Sequence, residues 1–132
     1  MNKYAIGLDF GTESCRGMLV RVSDGEIAAV AVESYPSGVI VTHPESGVPL
    51  PPDWALQNPM DWLSTMESVI AQIIKKPELD AKSQIVGIGI DFTSCTILPV
   101  KADGAPLSAL PEYQAEPHAW AKLWKHHGAQ PQ

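Results

Sequence analysis

Two carboxylates occupy equivalent places in two similar stretches of this sequence. Tyr4-Ala5-Ile6-Gly7-Leu8-Asp9-Phe10-Gly11-Thr12 and Gly87-Ile88-Gly89-Ile90-Asp91-Phe92-Thr93-Ser94 both run an apolar segment into Asp, Phe and then small or hydroxylic residues. An acid beside a tight polar loop suits a phosphate held together with a metal ion. Asp9 can hold Mg²⁺ through its waters, while Gly11 lets the backbone approach a ligand closely. Thr12 and Ser14 add hydroxyls and backbone N–H donors to an anion-accepting turn. Taken alone, the loop fits equally well a turn that Asp9 merely caps and Gly11 merely shapes. The second copy favours the ligand reading. If the two strands lie side by side and parallel, both Asp-Phe turns reach the carboxyl edge of one sheet, where open α/β sheets bind ligands.

The elements that must position these acids follow from the pattern of the chain. Residues 4–8 are apolar or Gly without alternation, which predicts a central strand covered on both faces. Residues 17–22 and 27–35 read as two further strands around the turn Ser23-Asp24-Gly25-Glu26, so the amino-terminal third is an antiparallel meander. Arg16, just past the first corner, either pairs with Asp9 or Glu13 or is solvated. Six of the twelve prolines fall between Pro36 and Pro59, marking an irregular surface excursion that Trp54 anchors. A helix follows, with Asn58 as N-cap, Pro59 at its first position and Asp61 in its first turn. Its apolar stripe is Trp62, Leu63, Met66, Val69, Ile70, Ile73 and Ile74, and Lys75-Lys76-Pro77 closes it. That helix is the crossover a parallel neighbour requires, and a right-handed connection places the strand at 85–90 beside the first. Residues 96–100 and 105–110 read as a second hairpin around Lys101-Ala102-Asp103-Gly104. The span from Glu116 to His127 reads as a helix with Ala119, Trp120, Leu123, Trp124 and His127 on one face and Gly128 as its stop. The tail Ala129-Gln130-Pro131-Gln132 has no recognisable ending and looks cut off.

Composition narrows the chemistry. A chain of 132 residues with 45% hydrophobic content can build one domain with a real core. A net charge of −6 argues against nucleic-acid and membrane-surface binding, because no Lys/Arg cluster is present to neutralise phosphates. Cys15 and Cys95 have neither metal-ligand spacing nor the density of a disulfide framework, which points to a reducing cytoplasm. No apolar run approaches the ~20 residues of a membrane span, and no signal peptide precedes the first strand. Gly87-x-Gly89 lacks the third Gly of a dinucleotide fingerprint, since position 92 is Phe, and Gly11-Thr12 lacks the Lys of a P-loop. Ser94 has no neighbouring His to activate it, so a hydrolase is disfavoured. His126 and His127 are adjacent and do not converge on one metal from a regular helix. Cys95 reads as a small buried hydrophobe.

What remains suits a polyol next to a metal-bound phosphate, and here the residues become recognisable. Ile6-Gly7-Leu8-Asp9-Phe10-Gly11-Thr12, Ile88-Gly89-Ile90-Asp91-Phe92-Thr93-Ser94-Cys95-Thr96, Leu110-Pro111-Glu112-Tyr113 and Leu123-Trp124-Lys125-His126-His127 together resemble the amino-terminal domain of the FGGY carbohydrate kinases, and within that family its ribulokinase branch. The resemblance covers essentially all 132 residues. It implies an α/β, actin-like (ribonuclease H-like) domain, incomplete, with a mixed sheet of antiparallel meander plus parallel strand and flanking helices. Residues 1–132 then form the amino-terminal part of the first kinase domain, and the second actin-like domain is absent. The implied activity is ATP-dependent transfer of the γ-phosphoryl group to the 5-hydroxyl of L-ribulose, in arabinose breakdown, with ATP and Mg²⁺ as cofactors. The implied partners are a pentulose and ATP, with no nucleic acid or membrane, a cytoplasmic setting, and homo-oligomerisation left open.

Carried over by position, Asp9, Gly11 and Thr12 match the phosphate and metal loop, with Asp9 reaching Mg²⁺ through water. Asp91, Thr93, Ser94 and Cys95 match the strand end and turn that touch the sugar. Trp124 matches the aromatic that packs on sugar carbons, against a competing role in helix packing. The general base, the residues completing the sugar site and the adenosine pocket are expected beyond Gln132, so the 132 residues by themselves are expected to be inactive. The alternatives are a D-ribulose or D-xylulose kinase fragment, or a non-catalytic sugar-binding actin-like module.

Overall fold

The computed structural model describes residues 1–76 and 78–128 and divides into two units, Met1–Tyr35 with Trp62–Phe92 and Pro36–Asp61 with Thr93–Gln132. The closing Pro77 of the expected helix end and the cut-off reading of the tail lie outside the described residues.

The first unit is a four-stranded mixed sheet. Its strands β1 (Tyr4–Phe10), β2 (Ser14–Arg21) and β3 (Ile27–Ser34) form the expected meander, and β5 (Ile85–Phe92) adds to the other side of β1. The order is β3-β2-β1-β5, with β1 antiparallel to β2 and parallel to β5. Helix α1 (Pro59–Ile73) makes the connection and is followed by the four-residue helix α2 (Ala81–Gln84). Asn58 caps α1 as its side chain predicts: Oδ1 accepts the Met60 N–H at 3.1 Å.

The core lies between α1 and one face of the sheet. Ile6 and Leu8 of β1, Cys15 and Leu19 of β2 and Ala31 of β3 meet Val69 and Ile73, with Trp62, Met66, Ile70 and Ile74 packed around them. Leu63, read as part of the stripe, is exposed instead, and Thr65 is buried. Burial along β1 alternates, with Ile6 and Leu8 covered and Ala5, Gly7 and Asp9 only half-buried. The expectation of cover on both faces is therefore corrected: within this unit one face is covered. A run of apolar residues and glycines cannot reveal this, because Gly7 and Ala5 keep the run unbroken on the open side as well.

How closely α1 approaches the sheet is set by Gly17. A Cβ at that position would stand 2.3 Å from Val69 Cγ1 and 3.4 Å from Leu8 Cδ2. Glu33 adds a polar tie at the rim, accepting from Ser68 Oγ at 3.2 Å and from Gln72 Nε2 at 3.0 Å.

The second unit is largely irregular. It contains the two-stranded antiparallel pair β4 (Leu56–Gln57) and β6 (Ala121–Lys122), with isolated bridges from Ile40 to Leu56 and from Ile97 to Lys122. The proline-rich excursion is irregular as read, ending in β4. Two expectations fail. The hairpin over 96–110 reduces to the turn Lys101–Ala105 and one bridge between Val100 and Pro106, because Pro99 and Pro106 remove ladder donors and Leu107–Ala109 coil into a 3-10 turn. The helix over 116–127 is instead a 3-10 turn at Pro117–Ala119, then β6, then a turn. Ala119, Ala121 and Leu123 are buried while the residues between them are not, which is the two-residue period of an extended chain. The pair Ala119 and Leu123 fits both periods, and that ambiguity produced the helical reading.

Gly17→Ala is expected to cost about 1–3 kcal/mol by forcing α1 off β2. Gly89→Ala, whose added Cβ meets nothing within 4 Å, is expected to change stability by no more than about 0.5 kcal/mol. Paired urea unfolding curves check both.

Candidate functional site

Parallel pairing of β1 and β5 sets Asp9 beside Asp91 and Phe10 beside Phe92. Adjacent strands lie about 4.8 Å apart, so the two acids are immediate neighbours at the carboxyl ends of neighbouring strands. Both are on the sheet face opposite α1. They line a shallow depression of about 580 Å³ together with Arg16, Met18, Val30 and Val32. Asp91 Oδ1 accepts the Phe92 N–H at 2.9 Å, which steadies the carboxylate at the strand end.

Arg16 is the partner that sequence reasoning left undecided. Its Nη2 lies 2.7 Å from Asp9 Oδ2, both side chains being about half-exposed. The pairing is dictated by the hairpin: Asp9 and Arg16 are direct cross-strand partners in the β1–β2 register. Counting back from the corner would have found it. The Gly11 N–H donates to Ser14 O at 2.9 Å, so it closes the turn rather than facing outward. A Cβ on Gly11 would lie 3.1 Å from Arg16 Nη2 and 3.2 Å from Ser14 O. Gly11 thus makes room for the guanidinium as well as for the turn. Below the loop, burial pushes the Cys15 thiol above its ordinary range, and the Asp9 carboxylate adds to the rise.

The other predicted residues belong to the second unit. Thr93 Oγ1 and Thr96 Oγ1 lie 3.2 Å apart and form a hydrogen bond across the turn, which either hydroxyl can donate. At the tip of that turn Cys95 has φ +63°, a left-handed conformation, and is exposed. The reading of Cys95 as a buried hydrophobe is corrected: the turn pushes its thiol into solvent. Trp124 is 52% exposed and lies beyond β6 on a turn, not on the helix that the competing packing role required. It sits on the turn that the His126 N–H closes by donating to Leu123 O at 2.8 Å.

That turn is fastened from behind. The Leu123 N–H donates to Ala55 O at 3.0 Å, the His127 N–H to Asp53 O at 2.8 Å, and the Ala55 N–H to His126 Nδ1 at 3.2 Å. Trp54 stands edge-on to both His118 and His126, with centroids 4.9 and 4.8 Å away. Trp54 is an anchor as expected, and His126 supports the Trp124 turn through a nitrogen that must be unprotonated to accept. Burial first, then the Lys122 ammonium and the His118 and His127 rings, lower the His126 pKa from its ordinary value.

The sequence matches the N-terminal domain of the FGGY family of carbohydrate kinases over residues 4–131. The chain belongs to that family. Among curated relatives it is 49% identical over 129 residues to a ribulokinase of Geobacillus thermodenitrificans and 47% identical over 129 residues to one of Anoxybacillus flavithermus. Each match covers 97% of this chain and 22% of the relative, so the chain spans about a fifth of the length of these kinases. The fold recurs in a xylulose kinase from Rhodospirillum rubrum, with TM-score 0.65 and 22% identity over 94% of this chain and 21% of that one. It recurs also in a xyloylose kinase from Brucella ovis, with TM-score 0.69 and 18% identity over 93% and 21%. The α/β fold with its mixed sheet is thus that of the FGGY sugar kinases.

The His126 pKa has a consequence for stability. Because the folded value is lowered, the unfolded chain takes up the proton first as pH falls. The contribution of neutral His126 is complete above about pH 6.5 and is lost as pH drops from there toward the folded value. Denaturation midpoints measured at about pH 7.5 and about pH 5.5 are expected to fall in the parent and to fall less in His126→Asn, which keeps an acceptor without titrating.

Proposed function

We propose that this chain is the amino-terminal portion of an ATP-dependent kinase that phosphorylates L-ribulose at its 5-hydroxyl, within cytoplasmic arabinose breakdown. The observation that carries the site is the parallel register of Asp9 with Asp91 at the carboxyl ends of adjacent strands. The choice of L-ribulose rests on the identity to ribulokinases, whereas the xylulose kinase likenesses are too distant to bear on substrate.

Phosphoryl transfer depends on positioning and on neutralising the charge of the moving group. A carboxylate oxygen at the end of a strand fits Mg²⁺, which takes oxygen ligands and keeps several waters. Asp9 is assigned to that ion through water, and Mg²⁺ supplies charge neutralisation on the ATP phosphates. Gly11 and Thr12 shape the loop that meets those phosphates. Arg16 holds Asp9 in place meanwhile and offers a cation to the same phosphates. Asp91, held by the Phe92 N–H, is assigned to the sugar hydroxyls. In the second unit Thr93, Ser94 and Cys95 are assigned to the sugar, and the exposed Trp124 indole offers an apolar wall to its C–H bonds.

We assign residues 1–132 to the first of two actin-like domains, and turnover to the longer polypeptide. The outer strand supports that reading. Ile88, Ile90 and Phe92 are on the same face as Ile6, Leu8 and Phe10, yet are more than half exposed, Phe92 reaching 68%. An apolar strand face of this kind is an association surface until further chain covers it.

The test is ADP release by the native-length polypeptide with Mg²⁺-ATP and a panel of pentuloses. L-ribulose is expected to give the highest kcat/KM, and Asp9→Ala to lower it by about 100-fold or more while circular dichroism and the unfolding midpoint stay near those of the parent. The 132-residue chain alone is expected to release no sugar-dependent ADP. A preference for D-xylulose or D-ribulose, or a fully active Asp9→Ala variant, contradicts the assignment.

A further inference from the structure

The second unit contains a pocket that the kinase reading does not use. Pro44, Glu45, Asn58, Met60, Ser108, Ala109, Gln114 and Trp120 line an open pocket of about 450 Å³, within the ~300–1,000 Å³ typical of small-molecule sites. Neither Trp124 nor the turn at Thr93–Cys95 contributes to its lining. Its walls are fixed by bonds made elsewhere. Trp120 Nε1 donates to Gln114 O at 3.1 Å, which pins the indole and leaves its ring as a wall. Asn58 is committed on both ends, accepting from the Met60 N–H and donating to Ser37 Oγ at 3.3 Å. Ser37 is in turn held by Asp61, which accepts its N–H at 2.7 Å.

Against these fixed walls stands a buried hydroxyl with nothing to bond. Ser108 is 4% exposed and its Oγ has no hydrogen-bond partner among the described residues. Buried hydroxyls are nearly always paired, so an unpaired one on a residue that lines a pocket points to a partner outside the described residues. The exposed Glu45 carboxylate and Gln114 side-chain amide, at the same pocket, are open to a ligand. The lining therefore offers one group that only accepts and two that both donate and accept, beside an indole and the apolar Pro44, Met60 and Ala109. It contains no Lys, Arg or His, which disfavours phosphate esters and carboxylates.

From this combination we infer that the pocket is a second carbohydrate site, taking an uncharged polyol of monosaccharide size. Its hydroxyls bond Ser108, Gln114 and Glu45 and its C–H groups lie on Trp120. The inference goes beyond the kinase reading, because it concerns different residues and holds whether or not L-ribulose is the substrate. It adds a place where an unphosphorylated sugar acts on the protein without being a substrate.

The test uses xylitol, an uncharged pentitol, titrated into the ¹⁵N-labelled native-length polypeptide while the indole N–H signals of Trp120 and Trp124 are followed. A saturable shift of the Trp120 signal is expected. Ser108→Ala and, independently, the exposed-residue variant Gln114→Ala are each expected to weaken it about tenfold, the loss of one buried hydrogen bond, and Ser108→Thr to retain most of it. The Gln114 variant decides the matter should Ser108→Ala disturb the fold. Three results overturn the inference: no saturable shift at Trp120, a shift at Trp124 alone, or a Trp120 shift that both variants leave unchanged, which would mean that Ser108 is satisfied by water. None of these bears on pentulose turnover, so the two proposals fail separately.

Discussion

The parallel contact between β1 and β5 is the constraint on which the site depends. It alone brings Asp9 and Asp91, 82 residues apart in sequence, to neighbouring positions at one sheet edge. Parallel neighbours cannot be joined by a tight turn, so α1 must cross over, and it crosses over at the depth that Gly17 permits. The short side of the same constraint is the β1–β2 hairpin. Its register delivers Arg16 to Asp9 and gives the acid a counter-charge before any ligand arrives. Core packing, crossover and charge pairing in this unit therefore converge on one carboxylate.

The second unit works differently. Its chain is mostly irregular, and order comes from main-chain bonds between the segments around Ala55 and Leu123, with Trp54 and His126 packed behind. This scaffold holds one indole, Trp124, half-exposed on a turn and another, Trp120, at the wall of a pocket. A large exposed aromatic on a fastened turn is a costly arrangement for a monomer surface and a useful one for a sugar. The same fastening makes the turn responsive to the protonation of His126, whose acceptor nitrogen is one of the ties.

The sheet and its crossover helix were legible because their signals are local and redundant. The repeated apolar-Asp-Phe pattern, the Gly25 turn, the Asn58 cap and the stripe from Trp62 to Ile74 all specify the same topology, and the structure has it. What the sequence could not show was cover: β1 reads as buried on both sides because Gly7 and Ala5 carry no polar mark. In the second unit the signals conflict. Ala119, Trp120, Leu123 and Trp124 satisfy helical spacing, yet the bonds of Lys122 to Ile97 and of Leu123 to Ala55 draw the segment out as a strand. Cys95 is misjudged for a related reason, since its exposure follows from a left-handed φ that no residue type at that position announces. Tertiary bonding overrides local preference where the chain has few regular elements of its own.

The most direct measurement is paramagnetic line broadening by Mn²⁺-ATP on the native-length polypeptide, read at backbone amides. If Asp9 holds the metal at the strand end it shares with Asp91, the amides of Gly11 and Thr12 broaden together with that of the adjacent Phe92, at sub-stoichiometric metal and before any other region. Broadening confined to one of the two loops, or centred elsewhere on the protein, would contradict it.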